Sequence, residues 1–541
     1  MFYRIYFYFT LFISLLILIF FFQTGFWEKN KFKFLERINL NGIDNYRFYP
    51  KILSYKVISL FQNQKKIEIN ISQKDMIEIE DNREEILNYL KNTKVKNNST
   101  KFKHLFPFKE ASAKIKDKEN FLRTSVRLKG DRMIHYENSN KSSYRFKIKD
   151  GDTYDGMNKF SLQKPRIRNY LHEWVFHELL GEGDLVKIKY DFYKFYLNGE
   201  YKGYYVLEES FGNRLLKRNN LPKGPIFSTF EEFNKSNGNS KKMFEVYDKK
   251  FWTSDTKNLS LTRNSLKKIE NYLKGKENFN NVFDVKKWAW FFAVTDLTYT
   301  YHGTLLKSVK FYYNPDTLKF EPIGFDGHRT IQNFSKYNKS TDFDLTNFSI
   351  ALQDNENKGY SKIFPKIQNG FFFNSQDLNY EFYEEYSKAI KLISSKKFLE
   401  NFFKERKDKI KNINSGIYSD DFEYDTNSLV KTGIGIYYYN LDDIYTRADT
   451  LKKKIYPNID ELFVYLKDNQ LIIENKNYNN FFLKEATIVC KDYNIEMNDL
   501  KIFKKRMFFN NTEKFNNSCD KLFFKDKLHN KDYYININKY N

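Results

Sequence analysis

Two acidic residues that flank a predicted β-hairpin constrain the fold of this chain more than any other feature. Asp296 follows a strongly apolar helical pattern and precedes a predicted loop. The segments Val309–Tyr313 and Leu318–Phe325 have strand composition and enclose the turn sequence Asn314-Pro-Asp-Thr317. A hairpin returns the chain towards its starting edge. We therefore expect Asp326, directly after the second strand, to lie near the loop that begins at Asp296.

A strand with alternating aliphatic or aromatic and basic residues lies upstream of this hairpin. In Tyr144–Lys149 the even-numbered positions are apolar and the odd-numbered positions are basic. Successive side chains of a strand point to opposite faces, so the basic side faces a cleft or solvent. Arg145, Lys147 and the preceding Lys141 are candidate nucleotide-binding cations. The alternative is a solvated strand face.

Between the basic strand and the hairpin, Asn169–Leu180 has the apolar spacing of a helix and carries Glu173 in its first turns. A helical glutamate orients the phosphate-binding lysine of kinases, whereas a plain surface glutamate is the alternative. A basic strand, a helix and two acids joined by a hairpin follow the order of a kinase-like phosphoryl-transfer site.

Each acidic candidate is assigned a chemical role. Asp296, at the end of a buried helix, is placed to accept a proton from a substrate hydroxyl. Asp326, at a strand end before Gly327, is the candidate metal ligand. His302 lies in the intervening loop, where it positions phosphate or substrate, or is simply a hydrogen-bonded loop residue.

Composition indicates a folded, basic protein. Aromatic residues make up 19% of the 541 positions, which is far above a disordered composition, and the formal net charge is +23. Uninterrupted Lys/Arg runs of the kind that bind nucleic acid are absent from the sequence. We expect no nucleic-acid partner, and the charge is attributed to genome bias rather than to a dedicated basic surface.

The N-terminus predicts a membrane span. Ile5–Phe22 contains no charged residue and is long enough to cross the hydrocarbon core. No small-residue cleavage site follows it, so we expect an uncleaved anchor at residues 1–27. The lysines after the span favour a cytoplasmic C-terminal part. Resemblance to envelope proteins, described below, favours an extracytoplasmic bulk in a single-pass membrane protein, which we prefer.

Three further regions follow the anchor. Residues 38–125 show short strands and one helical stretch, Arg83–Lys91, and are expected to be β-rich. Residues 126–460 contain the chemistry-bearing segments, and 461–541 show short strands with Asn-rich turns. The two cysteines, Cys490 and Cys519, form either one disulfide or two free thiols, and the sequence leaves both open.

The chain resembles the spore-coat-protein-H (CotH) family of atypical kinases. The resemblance rests on a series of motifs rather than on any one of them. They are Val-Arg-Leu-Lys-Gly-Asp at 126–131, Lys-Phe-Ser-Leu-Gln-Lys-Pro at 159–165, Leu-Asn-Gly-Glu-Tyr-Lys-Gly-Tyr-Tyr-Val-Leu-Glu-Glu at 197–209, and Gly-Phe-Asp-Gly-His at 324–328. Lys141-Ser142 matches a Lys-Ser motif of the family, and Glu209 matches an acidic strand end at its nucleotide pocket.

The resemblance implies an α+β, protein-kinase-like bilobal fold, here with an N-terminal transmembrane anchor and β-rich N- and C-terminal additions. It also implies ATP, Mg²⁺ or Mn²⁺, and a protein or cell-envelope component as phosphate acceptor. Two departures bear on metal binding. Ser308 stands where many members have Asn, and His328 stands at a second acidic position. A kinase-fold binding or structural protein without turnover is therefore the alternative. A carbohydrate-active enzyme, which needs paired carboxylates across a cleft, is neither indicated nor excluded.

Overall fold

The computed structural model describes most of the chain in separate ranges. These are 49–92, 106–130, 133–136, 141–229, 244–300, 303, 308–327, 373–374, 377–420, 441–455, 459–467, 470–476, 483–497, 506–510, 518–526 and 530–539. The predicted span Ile5–Phe22 and the loop residue His302 lie outside them. Among the described helices, none has the length and apolar character needed to cross a membrane.

The helices of the described residues range from one turn to five. In chain order they are α1 (Tyr49–Ser59), α2 (Gln73–Asn92), α3 (His172–Gly181), α4 (Asn213–Arg218), α5 (Lys249–Trp252), α6 (Thr256–Leu273), α7 (Phe279–Val282), α8 (Val285–Thr298), α9 (Tyr380–Ile393), α10 (Lys396–Glu405), α11 (Lys407–Ser419) and α12 (Asp442–Ile455).

The strands form a barrel, two smaller sheets and a C-terminal sheet. In chain order they are β1 (Lys66–Ile71), β2 (Ala111–Asp117), β3 (Asn120–Leu128), β4 (Tyr144–Ile148), β5 (Lys159–Gln163), β6 (Tyr190–Leu197), β7 (Glu200–Glu209), β8 (Ile226–Thr229), β9 (Phe244–Val246), β10 (Lys310–Asn314), β11 (Lys319–Ile323), β12 (Phe373–Asn374), β13 (Asp377–Leu378), β14 (Leu462–Lys467), β15 (Gln470–Asn475), β16 (Leu483–Cys490), β17 (Asn494–Glu496), β18 (Arg506–Asn510), β19 (Cys519–Asp526) and β20 (Lys531–Lys539). Together with the helices they make the mixed, α+β architecture that the sequence predicts.

The chain divides into two compact units. The smaller contains residues 1–63 and 411–439, and the larger contains 64–410 and 440–541. Within the smaller unit, the rings of Tyr55 and Tyr418 stack with centroids 5.6 Å apart. The Ser415 hydroxyl donates to Gln62 Oε1 at 2.5 Å. All remaining features belong to the larger unit.

Seven strands of the larger unit close into a barrel in the order β1-β2-β3-β4-β5-β7-β6. Antiparallel neighbours make most of it, and the parallel pair β1–β6 completes the circle. Alternation explains the interior, since every second residue of β1 and β4 is buried. The boundary expected between residues 125 and 126 falls inside β3. The region before it also contains the 20-residue helix α2, where the sequence indicated helix only at 83–91.

Two hairpins have turn residues between their strands, and the second is the predicted one. Asn198 and Gly199, both with positive φ, connect β6 to β7, and Leu197 pairs with Glu200. In the second hairpin, Lys310 of β10 pairs with Ile323 of β11. The sheet order β11-β10-β8-β9 places that hairpin beside β8.

The apolar helix α8 is the centre of the helical part. It packs against α3, α9 and α12, and twelve of its fourteen residues are buried. The side chain of Asp284 caps its first turn by accepting from the Lys287 backbone N–H at 3.0 Å. Tyr299, in the left-handed conformation, ends the helix. The helix therefore continues two residues past Asp296, which the sequence placed at its end.

The C-terminal strands form a seven-stranded sheet in the order β17-β16-β19-β20-β14-β15-β18. Its apolar face has its own hydrophobic core, which includes Leu466, Ile488 and Phe524. A disulfide joins Cys490 of β16 to Cys519 of β19. Of the two alternatives left open by the sequence, the structure contains the disulfide.

Candidate active site

The outer surface of the barrel carries a row of cations, which we call the basic face: Arg127, Arg145, Lys147 and Lys159. Cross-strand pairing brings them together, because Arg127 lies opposite Arg145 and Lys147 lies opposite Lys159. Burial and the neighbouring Arg145 lower the pKa of Arg127 to about 10. Burial, with Arg145 again, also lowers the pKa of Lys159. Four cations on adjacent strands repel one another, so this surface favours an anionic ligand.

A buried ion pair lies at the end of the basic face. Lys129, directly after β3, donates from Nζ to Glu208 Oε1 at 2.6 Å and to Gln163 Oε1 at 3.0 Å. Gln163 Nε2 in turn donates to Glu208 Oε2 at 2.9 Å. The two charged side chains are only 8% and 3% exposed. The three residues come from three strands of the barrel wall, which fixes their positions.

Both members of this pair are charged at neutral pH. Burial opposes the charge on Glu208, but the Lys129 ammonium and the Arg168 guanidinium lower the pKa of this carboxyl to about 2. Burial, with Arg145 and Arg168, lowers the pKa of Lys129 to about 8 despite the attraction of Glu208. Lys129 is thus a buried cation whose charge is lost just above physiological pH.

Arg168 connects the ion pair to the acidic hairpin. Its guanidinium contacts Asp326 Oδ1 directly, lies 3.4 Å from Glu173 Oε2, and lies 3.8 Å from Glu208 Oε2. It also stands over the ring of Phe325, 5.4 Å from the centroid. Three carboxylates from a barrel strand, a helix and a hairpin therefore share one arginine.

A short 3-10 helix, Pro165–Arg168, presents this arginine. Pro165 occupies its first position, where the missing N–H costs nothing. The turn ends with two consecutive residues in the left-handed region, Asn169 and Tyr170, at φ values of +54° and +57°. Each costs about 1 kcal/mol or more for a residue with a side chain. The helix that the sequence predicted from Asn169 consequently begins only at His172.

Asp326 is held by three elements. Ser308, just before β10, donates to its Oδ2 at 2.9 Å, and Arg168 contacts the other oxygen. The next residue, Gly327, donates its backbone N–H to Glu173 Oε1 at 3.2 Å. A Cβ on Gly327 would lie 2.2 Å from Cδ1 of Phe176, so glycine permits this approach to α3. Glu173 thus positions the metal-candidate loop while it pairs with Arg168.

Asp296, the predicted proton acceptor, has a different environment. It lies inside α8, is 1% exposed, and accepts at Oδ2 from the Tyr386 hydroxyl of α9 at 2.5 Å. Arg447 of α12 donates to its backbone carbonyl at 2.9 Å. The helix continues two residues beyond its predicted end, to Thr298, and the carboxylate is bound to α9 rather than released into a loop as expected.

The remaining candidates fall at different places. Arg145 and Lys147 lie on the basic face, and Lys141 is a partly exposed residue shortly before β4. Glu209 points to the side of β7 opposite Glu208, where it binds Arg218 and accepts from the Lys189 N–H at 2.8 Å. The structure therefore brings Glu208, rather than Glu209, together with Glu173 and Asp326.

Comparison with known proteins agrees with the order of these parts. The sequence model of the CotH kinase protein family matches residues 126–470. The match covers more than half of the chain and includes Lys129, Arg168, Glu173, Glu208 and Asp326. The chain belongs to the CotH kinase family. No curated protein matches it.

Membership in the CotH kinase family suggests ATP and a divalent cation, and the residues around Asp326 offer oxygen ligands that fit the cation. Asp326 and Ser308 offer a carboxylate and a hydroxyl oxygen side by side, and Mg²⁺ and Mn²⁺ prefer oxygen ligands. Mg²⁺ usually takes one or two carboxylates and completes its shell with phosphates and water. Within the described ranges no group of three or more His, Cys, Asp or Glu could hold a metal by itself.

Sequence reasoning missed Lys129, Gln163, Glu208 and Arg168 as site residues of this CotH-family chain. Lys129 follows Arg127 at the two-residue spacing that places both on one face of a strand, which is the signal that could have selected it. Arg168 offers no such signal, because its role depends on carboxylates 5, 40 and 158 residues further along the chain.

Proposed function

We propose that this protein is an ATP- and divalent-metal-dependent kinase that transfers phosphate to a protein or cell-envelope component. The observation that carries the proposal is the continuous buried network from Lys129 through Glu208 and Arg168 to Asp326. It links a cationic barrel surface to an acidic hairpin, which are the two halves of a phosphoryl-transfer site.

In this proposal the basic face and Lys129 bind the nucleotide phosphates. Arg145 and Lys147, predicted for this role, are supported by their position beside Lys129 on the outer barrel surface. Glu208 holds the Lys129 ammonium in place, as a helical glutamate does in protein kinases. Lys141, which lies shortly before β4, stays a candidate for an additional phosphate contact.

Asp326 and Ser308 would hold Mg²⁺ or Mn²⁺. Glu173 would hold the backbone after Asp326 in place by accepting a hydrogen bond from the Gly327 N–H. A bound cation would neutralise charge on the phosphate oxygens that Lys129 and the basic face also bind. His302 stays the candidate that positions the acceptor.

We further propose a kinase-like bilobal arrangement, with the barrel and α3 as the nucleotide-binding part and the helices around α8 as the acceptor-binding part. The anchor at residues 1–27 would hold the chain to a membrane as a single-pass protein. The Cys490–Cys519 disulfide supports an extracytoplasmic location for the bulk, because such bonds persist in oxidising compartments.

The burial of Asp296 favours a second candidate, a kinase-fold binding protein without turnover. An aspartate that is 1% exposed and bound by Tyr386 is poorly placed to take a proton from an acceptor hydroxyl. In this case the network binds nucleotide, and the protein acts as a structural or binding component of the envelope.

Incorporation of radiolabelled phosphate distinguishes the two candidates. The full-length protein is incubated with labelled ATP and an envelope fraction, with Mg²⁺ and Mn²⁺ tried separately. The kinase proposal expects labelling by the wild type, loss of labelling in Asp326→Asn, and, if Asp296 is the base, a fall of about 10²–10⁴-fold in Asp296→Asn. ATP binding without labelling in any fraction would support the binding protein. Absence of ATP binding would reject both.

A further inference from the structure

The position of Arg168 has a consequence for metal binding. Its guanidinium occupies Asp326 Oδ1, the same carboxylate that would ligate a divalent cation. Ser308 already donates to the other oxygen. A divalent cation about 2.1 Å from this oxygen would lie beside the guanidinium, and the two positive charges would repel each other.

The charges around Arg168 show what its removal would do. Glu173, Glu208 and Asp326 surround it, and Lys129 is the second cation bound to this group through Glu208. Removing the charge of Arg168 leaves these three carboxylates with one positive charge fewer, so the cluster attracts a divalent cation more strongly.

Arg168 lies in an irregular stretch of backbone. It lies at the end of a four-residue 3-10 helix, and the next two residues hold left-handed conformations. Ser308 holds the Asp326 side chain, and the contact of Gly327 with Glu173 holds the backbone beside it. If the pair separates, we therefore expect Arg168 to move rather than Asp326.

We infer that Arg168 is an internal competitor of the divalent cation at Asp326, an autoinhibitory contact that keeps the metal site closed until the arginine moves away. This inference rests on the proposed function, because it assumes a metal site at Asp326. It gives Arg168 the role of a competitor, which membership in the family does not imply.

Binding of Mn²⁺ alone, measured by the electron paramagnetic resonance signal of free Mn²⁺, tests this inference without any turnover. Full-length protein in detergent is titrated in the absence of nucleotide. Arg168→Gln is expected to bind Mn²⁺ at least about tenfold more tightly than the wild type, because one positive charge leaves the site. Arg168→Lys, whose single ammonium cannot reach three carboxylates, is expected to show a smaller gain of about threefold.

Arg123→Gln is the matched control. Arg123 lies on β3, is 69% exposed, and pairs with Asp150 rather than with the cluster, so its loss changes net charge equally but should leave Mn²⁺ affinity unchanged. Thermal melts establish that each variant is folded. If Arg168→Gln does not fold, Mn²⁺ binding is compared between Arg168→Lys and the wild type.

The outcomes separate the inference from the proposed function. Mn²⁺ affinity that is equal or weaker in folded Arg168 variants than in the wild type would overturn the competition while the metal site stands. If Mn²⁺ affinity rises equally in Arg123→Gln, the gain reflects net charge alone, and the inference is overturned as well. Absence of Mn²⁺ binding in all proteins would reject the metal site and, with it, any competitor.

Discussion

Asp326 and Asp296 are both buried aspartates, yet they belong to different kinds of surroundings. Asp326 belongs to a network of charges drawn from a barrel strand, a 3-10 helix and α3. Asp296 is enclosed by helices, with a tyrosine hydroxyl on its carboxylate and an arginine on its backbone. The first arrangement gathers charges from three parts of the fold, whereas the second connects helices α8, α9 and α12. Burial of an acidic residue therefore does not by itself identify a reactive group.

The largest expected difference between the two regions is in stability. Lys129→Met leaves the Glu208 carboxylate buried and deprived of its 2.6 Å partner, which should lower the free energy of unfolding by about 3–5 kcal/mol. Urea denaturation measures the loss. The double variant Lys129→Met/Glu208→Leu should regain most of it, and Lys147→Met, on an exposed position of β4, should change it by less than about 0.5 kcal/mol. A single variant as stable as the wild type would contradict the charged-network description.

The next largest effect concerns nucleotide binding. Asp326→Asn removes a charge that the metal needs, with little change in volume, and should weaken Mg²⁺-dependent ATP binding by about 100-fold, an effect worth about 2.7 kcal/mol. Asp296→Asn should leave the affinity nearly unchanged, because that residue lies within the helical packing. Isothermal titration of both variants compares the two aspartates directly. Equal losses would show that they share one site.

The pH dependence of binding probes Lys129. Its pKa, lowered to about 8 by burial and by neighbouring arginines, means that the ammonium is charged at pH 7 and neutral above pH 9. ATP affinity should fall by about tenfold as pH rises from 7 to 9.5, since one phosphate-binding charge is lost. Lys129→Arg, which stays protonated, should show a flatter profile over the same range, with the remaining fall due to the lowered pKa values of Arg127 and Lys159. A wild-type profile as flat as that of the variant would remove Lys129 from the phosphate contacts.

The smallest effect is expected in the helical region. Tyr386→Phe removes the hydroxyl that donates to Asp296 and should cost about 1–3 kcal/mol of stability with no change in ATP affinity. Thermal denaturation and the same titration measure the two quantities. Weaker ATP binding in this variant would show that Asp296 belongs to the ligand site, like Asp326.

The sequence allowed prediction wherever local rules decide the structure. The hairpin around Asn314-Pro-Asp-Thr317 and the alternation of β4 depend only on neighbours in the chain, and both are confirmed. The choice between Glu208 and Glu209 could not be made in this way. The irregularity between Phe195 and Tyr196 in the β6–β7 pairing shifts the register, so alternation counted from the turn does not tell which glutamate faces the site.

Long-range partners account for the remaining differences. Asp296 was expected at the end of its helix, because nothing near it in the sequence indicates its contacts with Tyr386, 90 residues later, or Arg447, 151 residues later. Packing against their helices extends α8 by two residues beyond Asp296, which local propensity does not predict. Arg168 was missed for the same reason, since its carboxylate partners converge only in the folded chain.

The closure of the barrel by β1 and β6 determines how this protein can be divided. The family match begins at Val126, inside β3, and ends at Gln470, the first residue of β15. A fragment cut at those limits would lack β1 and β2, so the strand edges of β3 and β6 would lose their partners, and β14 would lose its hairpin mate. Unpaired edges of this kind recruit strands from other chains. Expression of the matched region alone should therefore give aggregates or exchanged-strand dimers, whereas a fragment that begins before Lys66 retains a complete barrel.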